Sequence, residues 1–373
     1  MDPIAHTFTG AALAASGLRR SSPLATAALI LGANAPDIDV LSSFAGDFHE
    51  LAFRRGWTHG VLALAVLPLI LTGLLILWDR CVRRRRRPGA EPARAGPILG
   101  LAALGVATHP TLDWLNNYGL RWLMPFDSRW FYGDALFIVD PWLWLALGGV
   151  LFLTYSRRPS SLAAWAVFWL LASSLVFAAA QLVPPGARAC WLAGISLIFA
   201  ARATGFAAPR REAAVERASR VALGLVAGYI VVAVVADIFA RAAVHTELAA
   251  RGIAPVEQVM VAPVPANPFA GDVVAATPEA FYTGRWRWLR QPRFMLEANR
   301  IPRLPHDAVY EAAANTAEAQ RFLTWSRFPY FEIESNAAGQ HTLRFFDARY
   351  RGAVGIGGPT VRLDQDLRPL AAD

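Results

Sequence analysis

The sequence predicts an α-helical integral membrane protein of about six to eight membrane helices, followed by a C-terminal exterior α+β domain. Three observations carry this prediction. Long charge-free apolar runs are confined to the first 240 residues, charged residues return after them, and the arginines fall on alternate connections. The 373 residues are 55% hydrophobic and 17% charged, with a formal charge of +8. A disordered chain needs low hydrophobicity and high charge, the reverse of this composition. Two cysteines, Cys81 and Cys190, are too few for a disulfide-stapled secreted domain. The opening MDPIAHTF has neither the basic start nor the small-residue cleavage site of a signal peptide.

The first two apolar segments, 3–18 and 21–36, are about 16 residues each and are divided by Arg19 and Arg20. They are short for full spans, so they either cross in a tilted or thinned arrangement or re-enter. A hydrocarbon core about 30 Å thick needs roughly 20 apolar helical residues. Runs 57–78 and 159–187 meet that length, and 95–112 nearly does. Runs 141–156, 189–201 and 221–236 are shorter but extend over semi-polar neighbours. One such run is compatible with a buried core helix, whereas six in one chain indicate a membrane protein.

Every one of the 36 basic residues is arginine. Arg19 and Arg20, Arg80 with Arg83–Arg87 and Arg94, Arg157 and Arg158, and the stretch Arg202–Arg220 lie on alternate connections and hold 16 arginines. The intervening connections hold five: Arg54, Arg55, Arg121, Arg129 and Arg188. The first set is therefore read as cytoplasmic. That gives eight passes if both short helices cross, with both termini outside and the two cysteines on opposite faces. The first 240 residues contribute +7 of the charge, so the surplus reads as a topological signal with no nucleic-acid partner.

After residue 240 the composition balances, with 15 arginines against 14 acids. AAVHTELAARG continues or caps the last helix, and APVPANPF reads as a linker or extended edge. DVVAATPEAFYTGRWRWL, YFEIESNAAGQHTLRFFDARY and TVRLDQDLRPL read as strand pairs with NAAG as a hairpin turn. PHDAVYEAAANTAEAQRFLTW reads as one or two amphipathic helices. The expected domains are a membrane core at 1–155, additional membrane helices at 156–240, and the exterior domain at 241–373.

Ionisable groups at membrane depth are costly and mark functional sites by default. His6 starts the first apolar segment, and Asp37 and Asp39 follow the second. His59 starts the next span, and His109 and Asp113 end the one after. The arginine count, which used none of these positions, puts all six at exterior helix ends. Imidazole and carboxylate are ordinary ligands for zinc, and carboxylate-rich mixtures also hold manganese or iron. His109 and Asp113 stand four apart and share a helix face. Six donors exceed the needs of one four-coordinate ion, which makes room for two ions. Singly, each histidine is more often a hydrogen-bonded boundary residue, and Asp37 or Asp113 a cap or an arginine partner. Jointly, those readings need six coincidences on one side of the membrane.

Asp134 and Asp140, in RWFYGDALFIVDPWLW, are the catalytic candidates. Asp140 reads as a general base, a ligand-orienting carboxylate or a metal ligand, or equally as an interfacial N-cap before Pro141. Arg55 and Asn116 are the substrate-binding candidates, an anion partner and a hydrogen-bond partner, although headgroup contact explains Arg55 as well. Trp57, Trp114, Trp122, Trp130, Trp142 and Trp144 read as an interfacial belt. Arg83–Arg87 reads as an anionic-lipid anchor. His245, His306 and His341 are read as structural.

At these residues the sequence resembles the bacterial membrane-bound metal-dependent hydrolase family of the YdjM/YbcI type. The resemblance rests on DPIAHTFTGAAL, LGANAPDIDVL, RRGWTHGVLALAVLPL, GVATHPTLDWLNNYG and FYGDALFIVDPWLW, within residues 1–155. It implies a metal-dependent hydrolase of the inner membrane, with His6, Asp37, Asp39, His59, His109 and Asp113 as ligands or catalytic groups. The histidine and HxxxD pattern is more distantly similar to zinc-dependent phospholipases C and related nucleases, which implies a phosphodiester or phospholipid substrate. The expected protein is a multi-pass inner-membrane hydrolase with its site and C-terminal domain on the periplasmic side, using zinc or a related divalent ion. Its expected partners are membrane lipids and a lipid or envelope phosphoester. The rival expectations are a metal-stabilised membrane adaptor and a metal or ion transporter. The inner halves of the spans carry no ionisable residues, which speaks against the transporter.

Overall fold

Asp2 sets the start of the first helix, α1 (Pro3–Ala15). Its carboxylate accepts from the amides of Ile4 and Ala5, both at 3.0 Å, and Pro3 supplies a preset φ at the first helical position. α2 (Ala25–Asn34) leads into 3-10 turns over Ala35–Ala45 and a short helix, α3 (Asp47–Phe53). α4 (Val61–Trp78) continues through a π turn at Asp79–Arg83, and α5 (Ala95–Trp114) returns. Then come α6 (Pro141–Tyr155), α7 (Pro159–Ala178), α8 (Pro185–Ala203) and α9 (Glu212–Ala250). This computed structural model describes residues 1–179, 182–204, 212–351 and 357–370. Arg210 and Arg211, from the arginine-rich connections, lie outside the described residues.

Four of these helices are long and apolar enough to cross a membrane: 61–86, 95–114, 159–178 and 213–250. α1 and α2, at 13 and 10 residues, fall short, and α6 is a shorter apolar helix. At 1.5 Å per residue α1 is about 20 Å long, against a core of about 30 Å. The expected six to eight spans would need two to four of α1, α2, α6 and α8 to cross as well.

By contacts the chain forms two units. One comprises Met1–Ile38, Arg55–Asp237 and Ala262–Pro268, the other Asp39–Arg54, Ile238–Val261 and Phe269–Asp373. These are not the units drawn from composition. The segment 39–54 groups with the C-terminal part because α3 packs on a helix there, with the Phe48 ring 6.4 Å from Phe322.

In the first unit, glycines bring backbones into contact. A Cβ on Gly10 of α1 would lie 2.6 Å from the Leu29 carbonyl oxygen of α2, and one on Gly105 of α5 would lie 2.7 Å from the same atom. Helices in lipid associate through such close packing, because lipid tails are as apolar as the side chains. α6 is fixed by polar anchors. Asp140 caps it, accepting from the Trp142 amide at 2.9 Å and the Leu143 amide at 3.4 Å, and its other oxygen accepts from Tyr229 Oη of α9 at 2.9 Å. Trp144 Nε1 donates to the Asp2 carboxylate at 3.1 Å. Trp144 is therefore buried core, contrary to its place in the expected belt. The arginine-bearing turns meet one another at one end of this unit. Arg94 donates to the Ser21 carbonyl at 3.1 Å, Arg220 to the Ser16 carbonyl at 2.8 Å, and Arg20 pairs with Glu216 at 2.6 Å.

Two sheets lie chiefly in the second unit. β1 (Gln258–Val264), β2 (Asn267–Ala276), β3 (Ala280–Arg287) and β4 (Phe294–Leu296) follow in order, and β5 (Ile301–Pro302) pairs with β3. APVPANPF forms the end of β1 and the start of β2, the extended edge among its two sequence readings. Ala240, Val244 and Leu248 at the end of α9 pack with Val273, Ala275 and Trp286 of this sheet. α10 (Ala308–Ala314) and α11 (Ala317–Trp325) precede a sheet of β6 (Pro329–Ser335), β7 (His341–Asp347) and β8 (Thr360–Leu363). The NAAG turn joins β6 to β7, with Gly339 at a φ of 72°. Buried Asp347 ties this sheet to the preceding helix. It accepts from Ser326 Oγ at 2.7 Å, the Arg327 amide at 2.8 Å and Arg349 Nη2 at 2.8 Å. Burial alone would raise its carboxyl, but the Arg349 guanidinium and these donors hold it below the ordinary range.

Two outcomes follow from this packing. Gly105→Val meets backbone that cannot yield and is expected to cost about 2 kcal/mol. Gly100→Ala, on the same helix with nothing within 4 Å, is expected to be neutral or better, and thermal unfolding in detergent compares the two. Asp347→Asn is expected to destabilise the chain by about 3 kcal/mol at neutral pH. The folded pKa lies below the unfolded value, so the Asp347 contribution is present above about pH 4 and fades as pH falls toward the folded pKa. The gap between wild type and variant should therefore narrow in acid, as read by denaturant unfolding across pH.

Candidate metal centre

Four side chains from three stretches of the first unit converge: Asp37 after α2, His59 before α4, and His109 with Asp113 on the last turns of α5. Each can offer one ligand atom, and the four atoms lie within 4.8 Å of one another. His59 Nε2 and His109 Nε2 are 3.1 Å apart. His59 Nε2 stands 3.3 Å from Asp113 Oδ2. His109 Nε2 stands 3.6 Å from Asp113 Oδ2 and 3.6 Å from Asp37 Oδ1. A tetrahedral cation with bonds near 2.0 Å separates its ligand atoms by about 3.3 Å, so these distances outline one ion.

The donor chemistry fits a cation. His109 Nδ1 donates to the Ala33 carbonyl at 2.7 Å, which leaves the Nε2 of the neutral ring as a lone pair facing inward. Asp113 and Asp37 present carboxylate oxygens to that lone pair, acceptor against acceptor, and a cation resolves the conflict. Thr58 Oγ1, 2.9 Å from His59 Nδ1, is placed to orient the second imidazole in the same way. Among the described residues this is the only such group, and its four donors could hold an ion.

His6, His59 and His109 are fully buried, Asp113 is 1% exposed, and Asp37 is the open member, with its side chain 19% exposed. His6 stands beside the group. Its Nε2 is 3.2 Å from Asp113 Oδ1 and its ring stacks on His109 at 3.7 Å. The Met1 amino group also contacts Asp113 Oδ1. Asp39 is outside the group, and its carboxylate pairs with Arg54 at 3.5 Å.

Arg55 and Asn116, expected to face substrate, are buried against Asp113 instead. Arg55 Nε sits 3.0 Å from Asp113 Oδ2, and its Nη1 donates to Asn116 Oδ1 at 2.8 Å. Asn116 Oδ1 also accepts from the Tyr118 amide at 2.9 Å, and the Arg55 guanidinium lies 4.5 Å above the Tyr118 ring. Arg55 adopts a left-handed φ of 54°, a conformation a bulky residue holds only when its surroundings enforce it. Nothing in the sequence distinguished this arginine from Arg54 as a clamp on Asp113. The Ala33 carbonyl, a main-chain atom, carried no residue-type signal.

Asp134 and Asp140 separate. Both Asp140 oxygens are engaged in the cap and with Tyr229, and it is not in the donor group. Asp134 is fully buried with a left-handed φ of 50°. Its flanking amides, Gly133 and Ala135, donate to the Trp114 and Leu115 carbonyls at 2.7 Å each, next to Asp113 in the chain. His306 stacks on Tyr310 at 3.9 Å and His341 Nδ1 lies 2.7 Å from Ser335 Oγ, both within the second unit.

No curated protein and no solved structure matches the chain. A family model described as YdjM inner membrane protein matches residues 1–183, so the stretch that holds every residue of the centre is similar to that inner-membrane family.

Proposed function

We propose that this protein is a membrane-embedded metal-dependent hydrolase whose centre is Asp37, His59, His109 and Asp113, acting on an ester at the exterior face of the inner membrane. The ester is a phosphoester of a lipid or envelope component. The observation that carries the reading is the buried His59–His109 pair, at 3.1 Å, with two carboxylates on its lone pairs. Two imidazoles and two carboxylates suit zinc, and also manganese or iron. A divalent ion bound there would supply Lewis-acid activation of water and of the ester oxygen.

The chain's own residues divide the remaining work. Ala33 and Thr58 orient the two imidazoles, Arg55 and Asn116 fix Asp113, and His6 holds the second oxygen of that carboxylate. Asp37, the one ligand with an open side, faces the approach of substrate. Asp134, buried beside the Trp114 and Leu115 carbonyls that follow Asp113 in the chain, is the proposed general base. The gathering of Arg20, Arg94 and Arg220 at one end of the first unit supports the cytoplasmic assignment of that end. With the topology read from the arginine count in the sequence, the centre and the C-terminal domain are proposed to lie on the periplasmic side.

A second reading is favoured by one feature: four protein donors fill a tetrahedron, as in structural sites, whereas catalytic sites keep an open position. On that reading the metal holds the helix ends and the protein is an adaptor. Metal analysis with a substrate panel separates the two. The purified protein is expected to carry one equivalent of divalent metal, with His59→Ala and His109→Ala losing it and Asp37→Asn binding it more weakly. Turnover of phospholipid or lipid phosphate esters is expected to vanish on chelation and return with zinc or manganese. Stoichiometric metal without turnover would favour the adaptor, and metal uptake into proteoliposomes would point to transport. Full metal occupancy in a His59→Ala/His109→Ala double variant would overturn the centre itself.

A further inference from the structure

An apolar groove of about 1050 Å³ runs along the first unit between the C-terminal end of α2 and the length of α4. Leu31, Leu67, Ile70, Leu74 and Trp78 are among its walls, and its far end reaches Val82. Its polar end is formed by Asn34 and Asp37. Asp37 therefore lines the groove with one side and faces His109 Nε2 at 3.6 Å with the other. The groove and the donor group share this residue.

The surroundings identify the occupant. Only 17% of the apolar 18-residue window of the candidate span 61–86 is buried, and its mean hydropathy is the highest of the four, so the groove opens into bilayer hydrocarbon and continues the lipid-facing surface of α4. From Leu67 to Val82 the helix rises about 22 Å at 1.5 Å per residue. A single leaflet contributes about 15 Å of hydrocarbon, so a whole lipid tail fits along the groove. A peptide would leave its backbone groups unsatisfied among these side chains, whereas a hydrocarbon chain has none to satisfy. We infer that the groove seats the tail of the lipid substrate, so that a phosphate-bearing headgroup lies at Asp37 and the substrate enters sideways from the bilayer. This rests on the hydrolase reading for the headgroup's fate, while the seating of the tail stands on the groove alone.

Photo-crosslinking tests it on the full chain in phosphatidylethanolamine nanodiscs. The probes are phosphatidic acid with a diazirine in its acyl chain and a diacylglycerol with the same chain. Peptide mapping is expected to find adducts on 31–38 and 67–82 several-fold above those on the exposed face of α9, around Val231 and Val232. Phosphatidic acid should label the groove more than diacylglycerol in metal-loaded protein, and chelation should remove the difference. Ile70→Trp and Leu74→Trp fill the groove from exposed positions and are expected to cut labelling several-fold with metal content and melting temperature unchanged. Val232→Trp should leave it as it was. Groove labelling equal to that of α9, or unmoved by Ile70→Trp and Leu74→Trp, overturns the inference while a bound equivalent of metal leaves the hydrolase reading standing. Groove labelling in a protein that binds no metal does the opposite.

Discussion

Asp113 is 1% exposed at the end of an apolar helix, and an ionised carboxylate there costs several kcal/mol unless protein groups replace its lost water. Much of the first unit's polar architecture follows from that replacement. Arg55 comes to Oδ2 and His6 to Oδ1. Those contacts draw in α1, the segment before α4, and the chain after α5 through Asn116 and Tyr118. The left-handed φ at Arg55 belongs to the same demand, because the backbone turns so that a buried guanidinium reaches a buried carboxylate. Helix packing at Gly10 and Gly105 then brings α1, α2 and α5 close enough for these short reaches.

The unit contains a second buried aspartate, and the contrast between the two is informative. At Asp140 one oxygen accepts from two backbone amides and the other from Tyr229 Oη, so donors meet acceptors throughout. That cluster is complete with the protein's own atoms and ties α6 to α9. Around His109 Nε2 the balance is reversed: a lone pair faces carboxylate oxygens and another imidazole. Both clusters bury aspartate in apolar helix ends. Only the second needs a positive centre to make its contacts favourable, which separates ligand from cap where residue type alone cannot.

That distinction also marks how far the sequence could be read. His59, His109, Asp113 and Asp37 were legible because ionisable residues stand out against charge-free runs and an i, i+4 pair shares a helix face. The strand pairs of the tail were legible for the same local reason, with NAAG turning β6 into β7. Asp39 was not separable from Asp37, since two carboxylates two residues apart diverge or converge according to how the 3-10 turns run. Asp140 and Arg55 were ambiguous because the partners that decide them, Tyr229 and Asp113, are 89 and 58 residues away. The placement of 39–54 with the C-terminal part had no local signal, because it rests on the Phe48–Phe322 contact between distant segments.

The four donors differ in how firmly they are held. His109 and Asp113 stand on one helix, and His59 immediately precedes another, all buried. Asp37 stands on 3-10 turns, is partly exposed, and lines the apolar groove. A site whose purpose is to fasten helix ends gains nothing from a ligand at an opening, because access to water weakens the electrostatic hold on the ion. Catalysis has a use for it: a carboxylate on irregular backbone can shift to admit a second oxygen while three rigid donors retain the ion. The uneven rigidity of the donor set, together with the groove that reaches its loosest member, gives the hydrolase reading its advantage over the closed structural site.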